Sequence, residues 1–215
     1  MPYSALLLEQ SGFYLYEALK MRGNQKNNQM RNVIYAINTT LDGCCDHTKF
    51  RPDEDTFEYI TQLTREADTF VYGRKTYQLM VPYWPDVAKD PSEQTKPGYE
   101  FAQAFDAVEK IIVFSQSLDS AEEKRTRIVR TGLHDEILKL KQEQGKNILT
   151  GGVAIPSQLA ALGLIDEYRF VVHPIVVGEG RRVFDGINLQ ENLPLKLVES
   201  TVFKSGAVVL RYLKQ

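Results

Sequence analysis

The strongest constraint on the fold is an alternation of short apolar runs with amphipathic stretches that begins after Met30. Continuous runs of β-branched and apolar residues, such as 33–37 and 111–114, are typical of strands that are buried on both faces. The stretch 55–67 instead places Phe57, Ile60 and Leu63 at helical spacing. Strands and helices that alternate in this way predict a mostly parallel sheet with helices on both faces.

The same patterns locate the individual elements. Predicted strands cover residues 33–37, 69–72, 111–114, 127–129, 148–150 and 168–177. Predicted helices cover residues 55–67, 75 to just before Pro82, 100–108, 134–144 and 155–162. Two further runs, 195–203 and 207–213, are joined through Lys204-Ser205-Gly206 and predict a hairpin. The predicted class is therefore α/β, with a mostly parallel central sheet, helices on both faces and a C-terminal antiparallel hairpin.

The chain divides into two predicted regions. Residues 1–29 have scattered apolar residues and then a polar stretch rich in Asn and Gln, which we interpret as an N-terminal extension with a short helix and a linker. Residues 30–215 carry the whole strand–helix alternation without an internal repeat, so we expect them to form one domain.

Composition argues against several classes of function. The 26 Lys and Arg residues are not clustered and are balanced by 28 Asp and Glu, so no nucleic-acid partner is expected. No apolar run approaches the roughly 20 residues that cross a bilayer, so no membrane partner is expected. The two cysteines, Cys44 and Cys45, are neighbours, which disfavours a disulfide or a zinc site and indicates a cytoplasmic protein. His47, His134 and His173 lack metal-ligand spacing, so no metal is predicted.

Three strand-to-helix turns carry the residues best suited to a ligand. They are Tyr72-Gly73-Arg74-Lys75-Thr76, Phe114-Ser115-Gln116-Ser117 and Thr150-Gly151-Gly152-Val153-Ala154. Each follows a predicted strand, at the edge where open α/β sheets bind ligands. Glycine lets a phosphate approach the backbone, and basic and hydroxyl side chains supply donors. Taken singly, each turn also fits an ordinary role, either a solvated basic helix start or a turn rich in Ser or Gly.

In their order and spacing these turns resemble the dihydrofolate reductase superfamily. The resemblance includes Thr40-Leu41-Asp42-Gly43 after the first strand and Lys110-Ile111-Ile112-Val113 before the second turn. The stretch Gly163-Leu164-Ile165-Asp166-Glu167, followed by His173-Pro174-Ile175-Val176-Val177-Gly178-Glu179-Gly180 and Val183-Phe184, resembles one branch more closely. That branch is the reductase domain of the bacterial bifunctional riboflavin-biosynthesis deaminase–reductase and its stand-alone relatives. The resemblance extends over roughly the whole chain after Met30 and implies a dihydrofolate-reductase-like fold.

The resemblance also implies NADPH as the cofactor. In the family the first turn lies on the cofactor's phosphates, the serine after the third strand approaches the 2′-phosphate, and the glycine turn holds the pyrophosphate. The end of the first strand lies beside the nicotinamide. The cofactor-binding residues implied here are Asn38, Thr39, Gly73, Arg74, Lys75, Thr76, Ser115, Gln116, Thr150, Gly151, Gly152, Val153 and Ala154.

The residues beside the substrate have two interpretations. Folate reductases carry a carboxylate early in their first helix, and Glu54 or Asp55 stands in that region together with Asp53 and Glu58. Acidic residues in a first helical turn also compensate the helix dipole, so a purely structural role is the alternative. Trp84, which follows Tyr83, is either an aromatic wall of a substrate pocket or a cap on a core.

The predicted function is NADPH-dependent reduction of a small molecule by a homodimer like those of the riboflavin-type relatives. A pteridine and a ribosylaminopyrimidine are both candidate substrates, so 5-amino-6-(5-phosphoribosylamino)uracil reductase activity in riboflavin biosynthesis is one candidate. The Trp/Leu-Pro loop of folate reductases is not recognisable between Asp42 and Pro52, which disfavours folate. The alternative is a non-catalytic nucleotide-binding module of the same fold.

Overall fold

A single mixed sheet forms the centre of the molecule. The computed structural model describes residues 30–90, 92, 95–121 and 123–215, so the predictions for residues 1–29 lie outside the described range. The strands are β1 (Val33–Thr40), β2 (Ala67–Gly73), β3 (Lys110–Phe114), β4 (Thr126–Val129), β5 (Asn147–Thr150), β6 (Glu167–His173), β7 (Leu195–Val202) and β8 (Val208–Lys214). The helices are α1 (Glu54–Arg65), α2 (Arg74–Met80), α3 (Tyr83–Lys89), α4 (Lys96–Asp106), α5 (Leu133–Gln142) and α6 (Ala154–Ala161).

The strand order is β4-β3-β2-β5-β1-β6-β8-β7. Strands β1 to β6 pair with one another in parallel, whereas β8 is antiparallel to both β6 and β7. The prediction of a mostly parallel sheet that ends in an antiparallel hairpin is therefore confirmed. No helix in the described part of the chain is long and apolar enough to cross a bilayer.

Helices cover both faces of the sheet, as the unbroken apolar strands predict. On one face Tyr35 and Val71 pack with residues of α5 and α6. On the other face the neighbouring residues Ile34 and Phe70 pack with residues of α1, α2 and α4. Because side chains alternate along a strand, a strand buried on both faces needs an apolar residue at every position.

The largest differences from the sequence prediction are at β6 and α3, and proline explains both. Smaller ones are that β1 runs on to Thr40 and that α4 begins at Lys96. Strand β6 ends at His173 and not at residue 177, since Pro174 has no N–H to donate to a sheet. The chain then turns away, and the Ile175 N–H donates to the His173 carbonyl oxygen at 2.8 Å. Helix α3 was not predicted because prolines surround it, but Pro82 precedes the helix and Pro85 lies in its first turn, where no intrahelical donor is needed.

A buried ion pair holds the start of the central strand β1. Arg31 is buried, and its guanidinium donates to the Asp68 carboxylate, to the Thr69 hydroxyl at 2.8 Å and to the Lys146 carbonyl oxygen at 2.5 Å. Asp68 also accepts the Lys146 backbone N–H at 2.7 Å. The cluster therefore joins the beginnings of β1, β2 and β5, which are adjacent in the sheet.

Asp68→Ala is expected to lower the free energy of unfolding by about 3–5 kcal/mol, because it removes the carboxylate that is hydrogen-bonded to the buried charge of Arg31 and leaves only Glu143, 4.0 Å away. Urea unfolding followed by circular dichroism measures the change. Asp86→Ala is the matched control, since Asp86 pairs with Lys89 in full exposure and its loss should change stability little. Equal effects of the two substitutions would contradict the role of the Arg31 cluster.

Candidate functional site

A cavity of about 590 Å³ lies at the carboxyl ends of the central strands. This volume falls within the range of roughly 300–1,000 Å³ that is usual for small-molecule sites. Strands β1, β2 and β5 and the turn after β5 form one side of the cavity. Helix α1 contributes a largely apolar stripe, Tyr59, Ile60, Leu63 and Thr64.

The structure places about half of the predicted cofactor residues in the wall of this cavity. The predicted residues that line it are Asn38, Lys75, Thr76, Thr150, Gly151, Gly152 and Val153. The predicted residues that lie outside the lining are Thr39, Gly73, Arg74, Ser115, Gln116 and Ala154. The first and third turns of the sequence analysis therefore meet at one cavity, although they are more than 70 residues apart.

The two turns are in direct contact through Gly152 and Thr76. Gly152 has a φ of +80°, and a Cβ at this position would lie far inside van der Waals contact of the Thr76 hydroxyl oxygen. Its carbonyl oxygen accepts the Tyr35 hydroxyl at 2.8 Å, which fixes the turn to β1. The Thr150 hydroxyl donates to the Val71 carbonyl oxygen at 2.8 Å and fixes the same turn to β2. The glycine turn is therefore fixed to β1 and β2, and the absence of a side chain at Gly152 lets Thr76 pack directly against its backbone.

The second turn, after β3, is stabilised by its own serine. The Ser115 hydroxyl oxygen accepts the backbone N–H of Leu118 at 3.0 Å and that of Ser117 at 3.2 Å. Ser115 therefore stabilises a turn, which is the ordinary role that the sequence analysis gave as the alternative to ligand binding. Because its oxygen only accepts in these two bonds, the hydroxyl proton can still be donated. Gly73 pairs with Phe114 across β2 and β3, so the residues that follow them, Arg74 and Ser115, leave the sheet side by side.

Two of the acidic residues at the start of α1, Asp53 and Asp55, have structural partners. Asp53 caps the helix by accepting the Thr56 N–H at 2.7 Å, and the Asp55 carboxylate accepts the Lys204 N–H at 3.1 Å. Neither Glu54 nor Asp55 is among the residues that line the cavity. The catalytic role of Glu54 and Asp55 stays a prediction. The contacts of Asp53 and Asp55 show the structural role that acidic residues can have at a helix start.

Trp84 is partly buried against the core and is not among the residues of the cavity wall. Its ring packs edge-on against Phe101, with centroids 4.6 Å apart, and against Phe57 at 6.2 Å. The same cluster contains apolar residues of α1, α2, α4 and the sheet. Of the two interpretations of Trp84, the structure shows the cap on a core.

Two buried polar groups at the end of the central strands have no hydrogen-bond partner among the described residues. The Oδ1 atom of Asn38 is one, and it belongs to a residue that lines the cavity. An unpaired buried acceptor is costly, so a ligand with an amide or hydroxyl donor would satisfy it. The other is Nε2 of His173, whose ring packs on Phe50 with centroids 4.8 Å apart. Burial lowers the pKa of His173, and the nearby Asp53 carboxylate opposes this effect.

The charges around the cavity favour an anionic ligand. Lys75, Arg169 and Arg181 line it, against the single carboxylate of Asp46. Glu167 and Glu66 neutralise Arg169, whereas Lys75 and Arg181 make no ion pair within the described residues. No cluster of three or more His, Cys, Asp or Glu side chains in this part of the chain is arranged to hold a metal ion.

Sequence reasoning missed much of the cavity wall. Ile60 and Leu63 of the α1 stripe have the helical spacing of an ordinary core face, and nothing in the sequence marked them or Tyr59 as cavity residues. The contributions of Cys45, Asp46, His47 and Phe50 come from an irregular loop, and that of Arg181 from a glycine-rich one, where no periodicity marks a direction.

Asp42 ties the loop after β6 to the end of β1. Its carboxylate accepts the Thr40 hydroxyl at 2.6 Å and the backbone N–H groups of Gly178 at 2.9 Å and Val177 at 3.2 Å. These hydrogen bonds, the Thr40 bond being the strongest influence, hold the pKa of Asp42 at about 2. The carboxylate is therefore ionised at neutral pH, and the loop that carries Arg181 is anchored beside the cavity.

Comparison with known proteins decides the family. The family model of the RibD C-terminal domain matches residues 31–209, which is most of the chain. The chain belongs to the RibD C-terminal domain family. It is also 30% identical over 190 residues to the uncharacterized protein YyaP of Bacillus subtilis (strain 168), a match that covers 86% of this chain and 96% of YyaP.

Solved structures agree with this family at the level of the fold. The RibD C-terminal domain described here resembles a pyrimidine reductase-like protein of Corynebacterium diphtheriae with a TM-score of 0.63 and 15% identity, covering 86% of this chain and 92% of that one. It resembles the dihydrofolate reductase of Enterococcus faecalis complexed with NADP(H), with a TM-score of 0.58 and 14% identity, covering 86% and 96%. The dihydrofolate-reductase-like fold is confirmed, and the family supports an oxidoreductase of the reductase type.

Gly152→Ala is expected to destabilise the protein by about 2 kcal/mol or more, because it combines a left-handed backbone with a clash against Thr76. Gly151→Ala is the control, since a Cβ there has only an ordinary contact of 3.5 Å with the Ala36 carbonyl oxygen. Thermal unfolding of both variants provides the measurement. A Gly152→Ala protein as stable as the Gly151→Ala protein would show that the turn is not held against Thr76.

Proposed function

We propose that this protein is an NADPH-dependent reductase that transfers a hydride to a small molecule, with a pteridine or a ribosylaminopyrimidine as the candidate substrate class. One observation carries the proposal: the Gly151–Gly152 turn and the Lys75–Thr76 pair meet at one cavity whose unpaired cations suit phosphate. A related fold complexed with NADP(H) supports the same cofactor.

The residues present fit a dinucleotide in several places. The backbone of Gly151 and Gly152 offers close approach to a pyrophosphate, with Thr76 and Lys75 as donors beside it. The unpaired Oδ1 of Asn38 offers an acceptor for the carboxamide of a nicotinamide. When bound, NADPH supplies the hydride, and the protein's part is to position the reacting groups and keep water out.

The preference for NADPH over NADH rests on Arg74 and Ser115. They leave the sheet from the paired residues Gly73 and Phe114, so one phosphate can reach both. The Arg74 side chain is exposed and bonded only to Gln78 at 3.1 Å among the described residues, so it is available to an anion. We assign these two residues to the 2′-phosphate.

Calorimetric titration is expected to show tighter binding of NADPH than of NADH. Arg74→Gln should reduce NADPH affinity by roughly 10- to 100-fold and leave NADH affinity nearly unchanged, because only the charge-assisted bond to the 2′-phosphate is lost. Arg127→Gln is the control, since Arg127 lies on β4 in an ion pair with Glu136 and should affect neither cofactor.

Failure of both dinucleotides to bind would contradict the reductase proposal, and equal affinities would contradict the 2′-phosphate assignment. Turnover is followed by NADPH absorbance with a panel that contains a pteridine and a ribosylaminopyrimidine phosphate. Binding without turnover of any substrate would favour the non-catalytic nucleotide-binding module instead.

We also propose that the protein works as a cytoplasmic homodimer. Strand β7 is an edge strand of eight residues, and its side chains Leu197, Val198 and Val202 are exposed. A long apolar edge is a liability unless another chain covers it. Light scattering should give the mass of two chains, and Val198→Lys should shift it toward one. A wild-type mass of one chain at micromolar concentration would refute the dimer.

A further inference from the structure

The loop after β6 carries two adjacent arginines, Arg181 and Arg182, whose side chains lie in different surroundings. Residues 43–45 and 181–183 run antiparallel, with the Cys45 N–H donating to the Arg181 carbonyl oxygen at 2.9 Å and the Val183 N–H to that of Gly43 at 3.0 Å. Successive side chains of such a pair point to opposite sides. Arg181 and Cys45 therefore share one side, and Arg182 and Cys44 share the other.

The two sides of this antiparallel pair face different surroundings. Arg181 and Cys45 line the cavity. Cys44 is fully buried, and Arg182 bonds the Asp42 carbonyl oxygen and lies 3.6 Å from the Asp42 carboxylate. Arg182 therefore contacts Asp42 on the side away from the cavity, whereas Arg181 makes no ion pair among the described residues.

Arg181 lies close to the glycine turn. The Tyr35 hydroxyl, which donates to the Gly152 carbonyl oxygen, is near enough to Arg181 for the guanidinium to lower the pKa of Tyr35, against the larger rise that burial causes. The cavity wall contains Arg181, Cys45, Gly152 and Val153 together. Arg181 and the glycine turn therefore belong to the wall of the same cavity, and the Tyr35 hydroxyl that bonds the turn is within electrostatic reach of the guanidinium.

The backbone that leads into Arg181 is held by contacts with the segment after β1. Gly180 has a φ of +90°, and a Cβ there would lie 2.8 Å from the Cys44 sulfur, so this residue packs directly on the segment after β1. Glu179 pairs with Lys49 in that segment, and Asp42 binds the two N–H groups before it. Because the backbone is already placed, only the exposed Arg181 side chain has to be ordered when an anion binds.

We propose that Arg181 binds the pyrophosphate of the dinucleotide at the Gly151–Gly152 turn. This assignment rests on the proposed function, in which the cavity holds a dinucleotide. The planar fork of an arginine matches phosphate oxygens, and the glycine turn alone supplies no positive charge. Arg181 therefore provides charge at the pyrophosphate, from a loop remote in sequence from the turn.

Calorimetry of wild type, Arg181→Gln and Arg182→Gln with NADPH and with NADH tests the assignment. Arg181→Gln should weaken both dinucleotides by the same factor, roughly 10- to 100-fold, because both share the pyrophosphate. Arg182→Gln removes the same charge on the side away from the cavity and leaves the Asp42 bonds to Val177 and Gly178 in place, so it should change both affinities less than about threefold. Unchanged affinities in Arg181→Gln, or a loss for NADPH alone, would overturn the pyrophosphate assignment.

Inorganic pyrophosphate separates this inference from the proposed function. If wild type binds neither dinucleotide, the proposed function fails, but pyrophosphate binding that Arg181→Gln abolishes and Arg182→Gln keeps would still support Arg181 as the anion ligand. Absence of pyrophosphate binding in wild type as well would overturn both. Thermal unfolding checks that the variants are folded, and Arg181→Lys, which keeps the charge without the fork, should bind with intermediate affinity if Arg181→Gln does not fold.

Discussion

The parallel pairing of β5 with both β1 and β2 determines where every candidate ligand residue lies. Thr150 stands opposite Tyr35 on one side and Val71 on the other, so the glycine turn leaves the sheet between two central strands. The Tyr35 and Thr150 hydroxyls then bond the turn and β2 directly. Because all of these strands end at one edge, loops far apart in sequence meet there. The Arg31 cluster at the opposite end keeps the same three strands in register.

Most of the sheet could be predicted because each parallel strand carries its own local signal. Strand β3 is apolar at nearly every position, and burial on both faces requires that. The prediction was wrong where a proline can either end an element or stand at the beginning of one. Pro174 interrupts a run that is otherwise typical of a strand, and Pro85 stands in the first turn of α3, where proline is tolerated. Local pattern alone does not distinguish a proline that ends an element from one that begins it.

The candidate site was predictable to the extent that its chemistry is local. Gly151 and Gly152 are adjacent, and their turn follows a recognisable strand, so a phosphate-binding interpretation was available from the sequence. Arg181 was not, because its direction depends on an antiparallel bridge to Cys45, 136 residues away. The α1 stripe was seen as periodic, but Tyr59 and Leu63 were not expected to border an open cavity. Periodicity shows which side of a helix is apolar and not whether protein or ligand covers it.

The polar groups of the cavity also restrict how a reductase here would handle its proton. Hydrogen bonds from Thr48 lower the pKa of Asp46, so this carboxyl is ionised at neutral pH and is a poor acid. Burial raises the pKa of the Cys45 thiol to about 11, so it stays protonated, with its hydrogen bond directed to the Arg181 carbonyl oxygen at 3.3 Å. Neither group has a pKa near the working pH, which general acid catalysis favours. Asp46 and Cys45 therefore serve position and charge better than proton transfer, which leaves the proton to another group at the cavity, such as the His47 imidazole in its wall, or to water.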